Sequence, residues 1–376
     1  MTTLATRAAA GATGIAASLL VALPAQAAPA PPSPTGAPVF VLNDDSAGNA
    51  VIAYDRTATG ALVEAGRYPT GGAGGALGGA DVDKTASQGA LAYDRAANLL
   101  YAVNPGSDTV TMFAVFGDRL VRRQVLSSGG AFPVSIAVHG NQVYVLDARN
   151  GGSVQGYIRV GSHLVLVPTW HRDLGLDTQQ TPEFPGTPGQ VAFSPDGHQL
   201  LITTKNGGNS IDVFAVGPLG PSATPTVHPL PGALPFGVTF DEHGHLVVTE
   251  VGRNVVATFA LGGDGTLTQL AEAATGQAAT CWVVAADGEV YVSNTVSDTL
   301  SAYSVAGDGA LTADGITATD AGTIDAAVSS DGRFLYVQAG AAGQVDEFRI
   351  GAHGALTPVG SVTVPAAVGG EGIVAL

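Results

Sequence analysis

Residues 235–268 read PFGVTFDEHGHLVVTEVGRNVVATFALGGDGTLT and contain four short β-strand patterns in a row. The first run, 238–240, is separated from the second, 246–250, by a turn that contains His243 and Gly244. Glycine in such a turn supplies the positive φ that a tight hairpin requires. A third run follows, then a second turn at 263–265 and a more polar fourth run. No connection is long enough for a crossover helix, so the pattern predicts an antiparallel sheet.

The same unit recurs along the chain. Its second-strand runs begin at residues 39, 100, 143, 200, 246, 290 and 335, at a spacing of about 44 residues with two longer intervals. This period is typical of a four-stranded propeller blade. The repeat therefore predicts an all-β fold, a seven-bladed β-propeller with four-stranded antiparallel blades. The longer intervals carry insertions: we expect 71–88 to be a flexible solvated loop and 170–189 to be a candidate lid.

The two ends of the repeat array complement each other. The first unit starts directly at its second strand with Val39, and the last residues, 372–376 (GIVAL), have the pattern of a first strand. Placing this segment beside Val39 would close the ring with the C-terminal strand and cover both open sheet edges. The predicted propeller domain is 39–376.

The N-terminal residues predict export. Arg7 is the only charged side chain before Asp44, and an apolar run ends in Ala25-Gln26-Ala27, which is typical of a cleavage site. We therefore expect residues 1–27 to be a signal peptide and 28–38 (APAPPSPTGAP) to be an extended Pro-rich linker. The protein would be secreted, with no membrane association after signal cleavage.

Composition excludes several classes of function. The chain of 376 residues has 15 Lys and Arg against 31 Asp and Glu, a net charge of −16, which argues against nucleic-acid binding. The single cysteine, Cys281, cannot form an intramolecular disulfide, and its apolar surroundings predict a buried, inert thiol. The adjacent Trp282 would pack in the core or line the channel. Histidine spacing predicts no metal site, and no cofactor motif is present.

Several segments resemble a known family. Residues 103–110 (VNPGSDTV) and 291–295 (YVSNT) resemble the YVTN type of propeller repeat. Residues 235–240 with 249–252 and 265–268, and residues 190–197 (QVAFSPDG) with 204–206 (TKN), are similar to the lactonase-type seven-bladed propeller family. The resemblance covers 38–376. It implies hydrolysis of a 6-phosphogluconolactone-like substrate or cyclisation of a carboxymuconate. The Arg-His pair of the phosphogluconate type is replaced by 84–90, KTASQGA.

Four residues are candidates for chemistry at the mouth of the ring. Arg149, Lys205 and Arg253 follow the second strands of consecutive units, and Glu250 ends the second strand before Arg253. Loops at equivalent positions emerge on one face of a propeller. The three cations would hold a substrate carboxylate and stabilise an oxyanion, and Glu250 would act as general base. The alternative is that these are solvated loop residues.

Three functions remain open from the sequence. The first is a secreted lactonase-like enzyme that hydrolyses or forms a lactone on a small acidic substrate without a cofactor. The second is a noncatalytic secreted binding or scaffold propeller, whose partner would be an extracellular polymer or protein. The third is an esterase that holds calcium in its channel, for which Asp81 and Asp83 are a weak signal. In each case we expect a monomer.

Overall fold

The computed structural model describes residues 1–3 and 34–376, and side chains from residue 37 onward. The predicted signal peptide, apart from its first three residues, and residues 28–33 of the predicted linker lie outside the described residues. The first strand begins at Pro34, so residues 34–38 of the predicted linker are part of that strand. No helix in the described part of the chain is long and apolar enough to cross a membrane.

Strands are the main secondary structure of the described chain. In order these are β1 (Pro34–Leu42), β2 (Ala50–Thr57), β3 (Leu62–Pro69), β4 (Leu91–Asp94), β5 (Leu99–Asn104), β6 (Thr109–Phe116), β7 (Arg119–Ser127), β8 (Pro133–His139), β9 (Gln142–Asp147), β10 (Ser153–Val160), β11 (His163–Asp173), β12 (Gln190–Phe193), β13 (Gln199–Thr203), β14 (Ser210–Gly217), β15 (Gly220–Pro221) and β16 (Thr226–Pro229). They continue with β17 (Pro235–Phe240), β18 (Leu246–Glu250), β19 (Val255–Leu261), β20 (Leu267–Ala274), β21 (Thr280–Ala286), β22 (Glu289–Asn294), β23 (Thr299–Val305), β24 (Leu311–Ala318), β25 (Thr323–Val328), β26 (Phe334–Ala339), β27 (Gln344–Ile350), β28 (Leu356–Thr363) and β29 (Ile373–Ala375). One helical turn, α1 (Lys205–Gly208), and three 3₁₀ turns (Pro105–Ser107, Phe184–Gly186, Ala352–Gly354) complete the secondary structure.

These strands form seven antiparallel sheets, the blades, as the repeat predicts. Blade 1 has the order β29-β1-β2-β3, and blades 2, 3, 5, 6 and 7 are β4–β7, β8–β11, β17–β20, β21–β24 and β25–β28. Blade 4 is β12–β16, and its outer strand is divided into β15 and β16, which both pair with β14. The seven-bladed β-propeller is therefore confirmed.

Strand position in the blade explains the sequence pattern. Second strands lie between neighbouring blades, and every residue of β5 and β18 is buried, so these runs are apolar up to the polar residues at their ends. Fourth strands lie at the outer edge, and in β20 side chains are exposed or only partly buried. Burial of the inner strands stabilises the ring at roughly 25 cal/mol per Å² of apolar surface.

The C-terminal strand closes the ring. β29 is the innermost strand of blade 1 and pairs antiparallel with β1, with Val39 opposite Ala375 and Val41 opposite Ile373. The backbone N–H of Leu42 also donates to the carbonyl of Gly372 at 2.8 Å. Closure by the C-terminal strand is thus confirmed, and blade 1 is assembled from both ends of the described propeller.

Candidate functional site: a plugged axial channel and its cleft

A segment of the first insertion fills the centre of the ring. Residues 83–89, here called the plug, contact inner strands of several blades. The Ser87 hydroxyl donates to the Val134 carbonyl at 2.8 Å, and the Gln88 side chain donates to the Val283 carbonyl at 2.8 Å. The Trp282 indole N–H donates to the Ser87 carbonyl at 2.7 Å. The expectation of a flexible solvated loop is wrong for this part of the insertion, because these hydrogen bonds tie it to blades 3 and 6.

A glycine on an inner strand makes room for the plug. A Cβ on Gly237 would lie 2.4 Å from the Gln88 amide oxygen and 2.7 Å from the Cys281 carbonyl oxygen. Such distances are far inside van der Waals contact, so a larger residue would displace the plug. Glycine at this position of the inner strand therefore allows the plug to approach the strand closely.

A cleft of about 380 Å³ opens beside the plug. Both insertions contribute to it, the first through residues 79–83 and Ala86 and the second through Phe184. Blades 5 and 6 complete the wall, in which Phe236 and Trp282 meet edge to face with ring centroids 4.8 Å apart. Most of the wall is apolar, and its ionisable members are Asp81, Asp83 and Cys281.

Asp83 is the buried carboxylate of this wall. One of its oxygens accepts hydrogen bonds from the Thr85 backbone N–H (3.0 Å) and hydroxyl (2.8 Å), and the other accepts from the Ser87 N–H (2.9 Å). Burial raises the pKa of Asp83 to about 6, against the lowering effect of these hydrogen bonds and of Lys205. A carboxylate with a pKa in this range can accept a proton near neutral pH.

Lys205 lies behind the wall of the cleft. It opens α1 in the turn after the second strand of blade 4, and its side chain reaches into the interior. Its ammonium donates to the Ala86 carbonyl of the plug at 2.6 Å and to the Thr187 hydroxyl of the second insertion at 2.9 Å. The ammonium also lies 5.4 Å from the centroid of the Phe236 ring. Burial lowers the pKa of Lys205 to about 7, and the charge of Asp83 opposes this effect.

Cys281 lies in the same wall and remains a buried thiol. Burial raises its pKa to about 12, although the Thr295 hydroxyl and the charge of Lys205 lower it. The sequence around Cys281 contains no cation, whereas the folded chain brings Lys205 near it from another blade. Because burial outweighs that cation, the thiolate is disfavoured, as expected for an inert thiol.

Three further carboxylates surround the inner end of the plug. Asp44, Asp325 and Glu371 are buried, and Glu371 accepts hydrogen bonds from the Gly89 N–H (2.9 Å) and the Thr85 hydroxyl (3.2 Å). Burial raises the pKa of Asp44 and of Asp325 to about 7, and raises that of Glu371 well above its usual value. Among the described residues, no group of three or more His, Cys, Asp or Glu side chains is arranged to hold a metal ion.

The other three sequence-predicted residues lie in ion pairs away from Lys205. The Arg149 guanidinium donates to the two oxygens of Glu183 at 2.8 and 3.2 Å and lines a separate cavity of about 60 Å³. Arg253 donates to Glu250 at 2.8 Å and to Glu272 at 2.6 Å. Within residues 37–376, no hydrogen bond or ion pair joins Arg149 or Lys205 to Glu250, so the four do not form one contact group.

Glu250 is a buried carboxylate under Arg253. Its side chain has no exposed surface, and one carboxylate oxygen lacks a hydrogen-bond partner. Burial raises its pKa, and the charge of Arg253 opposes this effect. Its role as general base stays a prediction. The sequence does not predict Asp83 as a base. Its position beside Asp81 in a long insertion is the one sequence feature that marks it as a candidate functional residue.

Comparisons with known proteins agree with the fold. The family model described as "Lactonase, 7-bladed beta-propeller" matches residues 266–370. The periplasmic gluconolactonase of Pseudomonas aeruginosa superposes with a TM-score of 0.73 at 18% identity, over 90% of this chain and 99% of that one.

Two further solved structures share the fold. A protein of Bacteroides uniformis described as a candidate 6-phosphogluconolactonase gives a TM-score of 0.72 at 16% identity, over 90% of this chain and 99% of that one. A streptogramin B lyase gives 0.53 at 12% identity, over 74% and 83%. No curated protein sequence matches the chain. By its seven blades the chain is a seven-bladed β-propeller, and its residues 266–370 are similar to the lactonase family of such propellers.

Proposed function

We propose that the cleft hydrolyses a small lactone, with Asp83 as general base and Lys205 as the cation that stabilises negative charge on the substrate. The observation that carries the proposal is the placement of Asp83 in the wall of the cleft with the Lys205 ammonium behind the same wall. Each side chain lies near enough to shift the pKa of the other. The match to the lactonase family model supports the reaction class.

The chemistry follows from these two groups. Asp83 takes a proton from water as the water oxygen attacks the carbonyl carbon of the lactone, which forms a tetrahedral oxyanion. The positive charge of Lys205 stabilises that oxyanion in a site of low dielectric. The ring C–O bond then breaks, and the proton on Asp83 passes to the leaving oxygen, so that lactone and water yield one hydroxy acid.

A second candidate is ligand binding without turnover. The carboxylate of Asp83 already accepts three hydrogen bonds from Thr85 and Ser87, an arrangement that also fixes the plug. This observation favours a structural role for Asp83 and a noncatalytic propeller. The sequence of residues 1–27 supports the further proposal that the protein is exported and acts outside the cytoplasm.

A lactone panel with two isosteric variants tests the proposal. We expect the parent protein to release acid from at least one lactone, and Asp83→Asn to lose about 10²–10⁴-fold in kcat because the base is gone. The matched control is Asp147→Asn, which replaces another buried carboxyl, in blade 3, outside the cleft wall. Equal activity of Asp83→Asn and the parent would contradict the role of Asp83. No hydrolysis of any lactone by the parent would favour the noncatalytic reading.

A further inference from the structure

The wall of the cleft carries negative charge, whereas binding of a phosphorylated sugar lactone requires positive charge. None of the described residues that line it is a lysine or an arginine. The nearby cation, Lys205, is buried with its ammonium turned to Ala86 and Thr187. The exposed Asp81 and the buried Asp83 place negative charge on the wall.

A phosphate group would therefore meet no cation in the wall itself, because Lys205 acts from behind the wall on the reacting carbonyl, through its charge and not through a hydrogen bond to the substrate. Phosphate recognition in proteins relies on bidentate arginines, lysines or converging backbone N–H groups. Moving a doubly charged group from water beside Asp81 and Asp83 costs desolvation and adds like-charge repulsion. Arg149, which lines the separate cavity of about 60 Å³, is already paired with both oxygens of Glu183. The same argument disfavours a substrate that carries a free carboxylate.

The apolar part of the wall favours a flat ligand. Trp282 is held by its hydrogen bond to the Ser87 carbonyl and meets Phe236 edge to face, and Phe184 and Val251 complete this surface. Rings fixed in this way bind an apolar planar body with little loss of conformational entropy. The volume, about 380 Å³, is at the small end of ligand sites, which are roughly 300–1,000 Å³.

We infer that the cleft takes an uncharged lactone with a flat, mainly apolar body, such as an aryl-fused lactone, in preference to a phosphorylated or carboxylated sugar lactone. This inference rests on the proposed function for turnover, but ligand binding tests it independently. It differs from the small acidic substrate that the sequence predicts, and the experiment below compares the two.

The experiment compares catalysis and binding on the same protein. Dihydrocoumarin, gluconolactone and 6-phosphogluconolactone are compared by kcat/KM, and the lactam 3,4-dihydroquinolin-2-one and 6-phosphogluconate are titrated by calorimetry as non-reacting probes. We expect dihydrocoumarin to exceed both sugar lactones by at least about 10-fold, since apolar contacts discriminate on this scale. Phe236→Ala should weaken lactam binding by about 10-fold, and the control Phe116→Ala, at an exposed position outside the cleft, should not.

A gain-of-charge variant sharpens the test. Val296 lines the cleft and is 73% exposed, so Val296→Arg adds a cation with little effect on packing. We expect it to strengthen 6-phosphogluconate binding and to leave lactam binding within about twofold. If the parent protein prefers either sugar lactone, the inference fails and the proposed function stands. If the lactam binds and no lactone is hydrolysed, the proposed function fails and the binding inference stands. Absence of both binding and hydrolysis overturns both.

Discussion

Two groups on this propeller contain the same kinds of ionisable side chain in different surroundings. In blade 5, the Arg253 guanidinium lies between the carboxylates of Glu250 and Glu272 and is 41% exposed. At the axis, Asp83 and Lys205 are both buried, and their hydrogen bonds go mainly to the backbone and hydroxyls of the insertions. The hydrogen bond to Glu272 raises the pKa of Arg253 away from neutrality, whereas burial brings the pKa values of Asp83 and Lys205 close to it. The axial pair is therefore the one suited to exchange protons with a substrate.

Removing the axial cation should lower activity strongly, as removal of Asp83 does. We expect Lys205→Met, which keeps the length of the side chain, to lower kcat for the best lactone by about 10²–10³-fold, as when one oxyanion-stabilising group is lost. Lys84→Met is the matched control, because Lys84 is a partly exposed lysine of the same plug whose ammonium donates to the Asp44 carbonyl. Steady-state kinetics together with thermal unfolding separate catalysis from folding. Equal kcat for the two variants would assign no catalytic role to the axial cation.

The pH dependence of turnover should report the same pair. Asp83 must be ionised, above its pKa of about 6, and Lys205 must be charged, below its pKa of about 7. The rate should therefore be highest between these values and fall up to about tenfold per pH unit on either side. A profile of kcat/KM from pH 4.5 to 9 checks this, with Asp147→Asn as a control that leaves it unchanged. A rate that stays constant from pH 5 to 8 would exclude the pair.

Stability should change more modestly, and in the opposite direction from common acid denaturation. Burial raises the pKa of Asp44 and Asp325 to about 7 and that of Asp147 to about 8, whereas an unfolded Asp titrates near 4. The native state thus binds more protons in this window, so the free energy of unfolding falls as pH rises from about 5 to 7. Above pH 7 the lowered pKa of Lys205 makes the free energy of unfolding rise with pH, because the unfolded chain keeps a proton on this lysine that the folded chain loses.

Calorimetric unfolding at pH 5 and pH 7 measures this effect. We expect Tm to be higher at pH 5 by about 3–6 °C, a shift of the size that a few kcal/mol produces in a chain of this length. Asp147→Asn should reduce the difference, because it removes one of the carboxyls that titrate. A Tm that increases between pH 5 and 7 would mean that these carboxyls are ionised in the native state.

The smallest effect on activity is expected in blade 5. Glu250→Gln and Arg253→Ala should each change kcat/KM by less than about twofold, since neither residue lines the cleft. Arg253→Ala should still lower stability, because it leaves Glu250 buried without its cation. Kinetics and urea unfolding of both variants provide the measurement. If Glu250→Gln abolished turnover while Asp83→Asn did not, the site predicted from sequence would be the catalytic one.

The sequence predicts the fold better than the site for a physical reason. The blades can be recognised because their strand pattern repeats locally in the sequence. The first unit lacks a first strand, so the pairing of β1 with β29 can be predicted from the sequence. The contacts of Lys205 depend on Ala86 and Thr187, which lie in insertions without periodic pattern. Likewise, Arg149 looked like a free cation because its partner Glu183 is 34 residues away in an insertion. The geometry of the ring decides which distant residues meet, and the spacing of residues along the sequence does not reveal these partners.

Glu371 is synthesised long after the plug that it contacts, so the interior of the ring cannot be completed early in synthesis. This residue precedes β29 by two positions, and its carboxylate accepts hydrogen bonds from Gly89 and Thr85 in the plug. Because a ribosome produces the N-terminus first, the plug is made nearly three hundred residues before the residue that anchors its inner end. The axial carboxylates can become buried together only after Glu371 has been synthesised. We therefore expect the cleft to mature last during folding, and a chain that ends at 370 should leave the plug open to proteolysis while the middle blades remain protected.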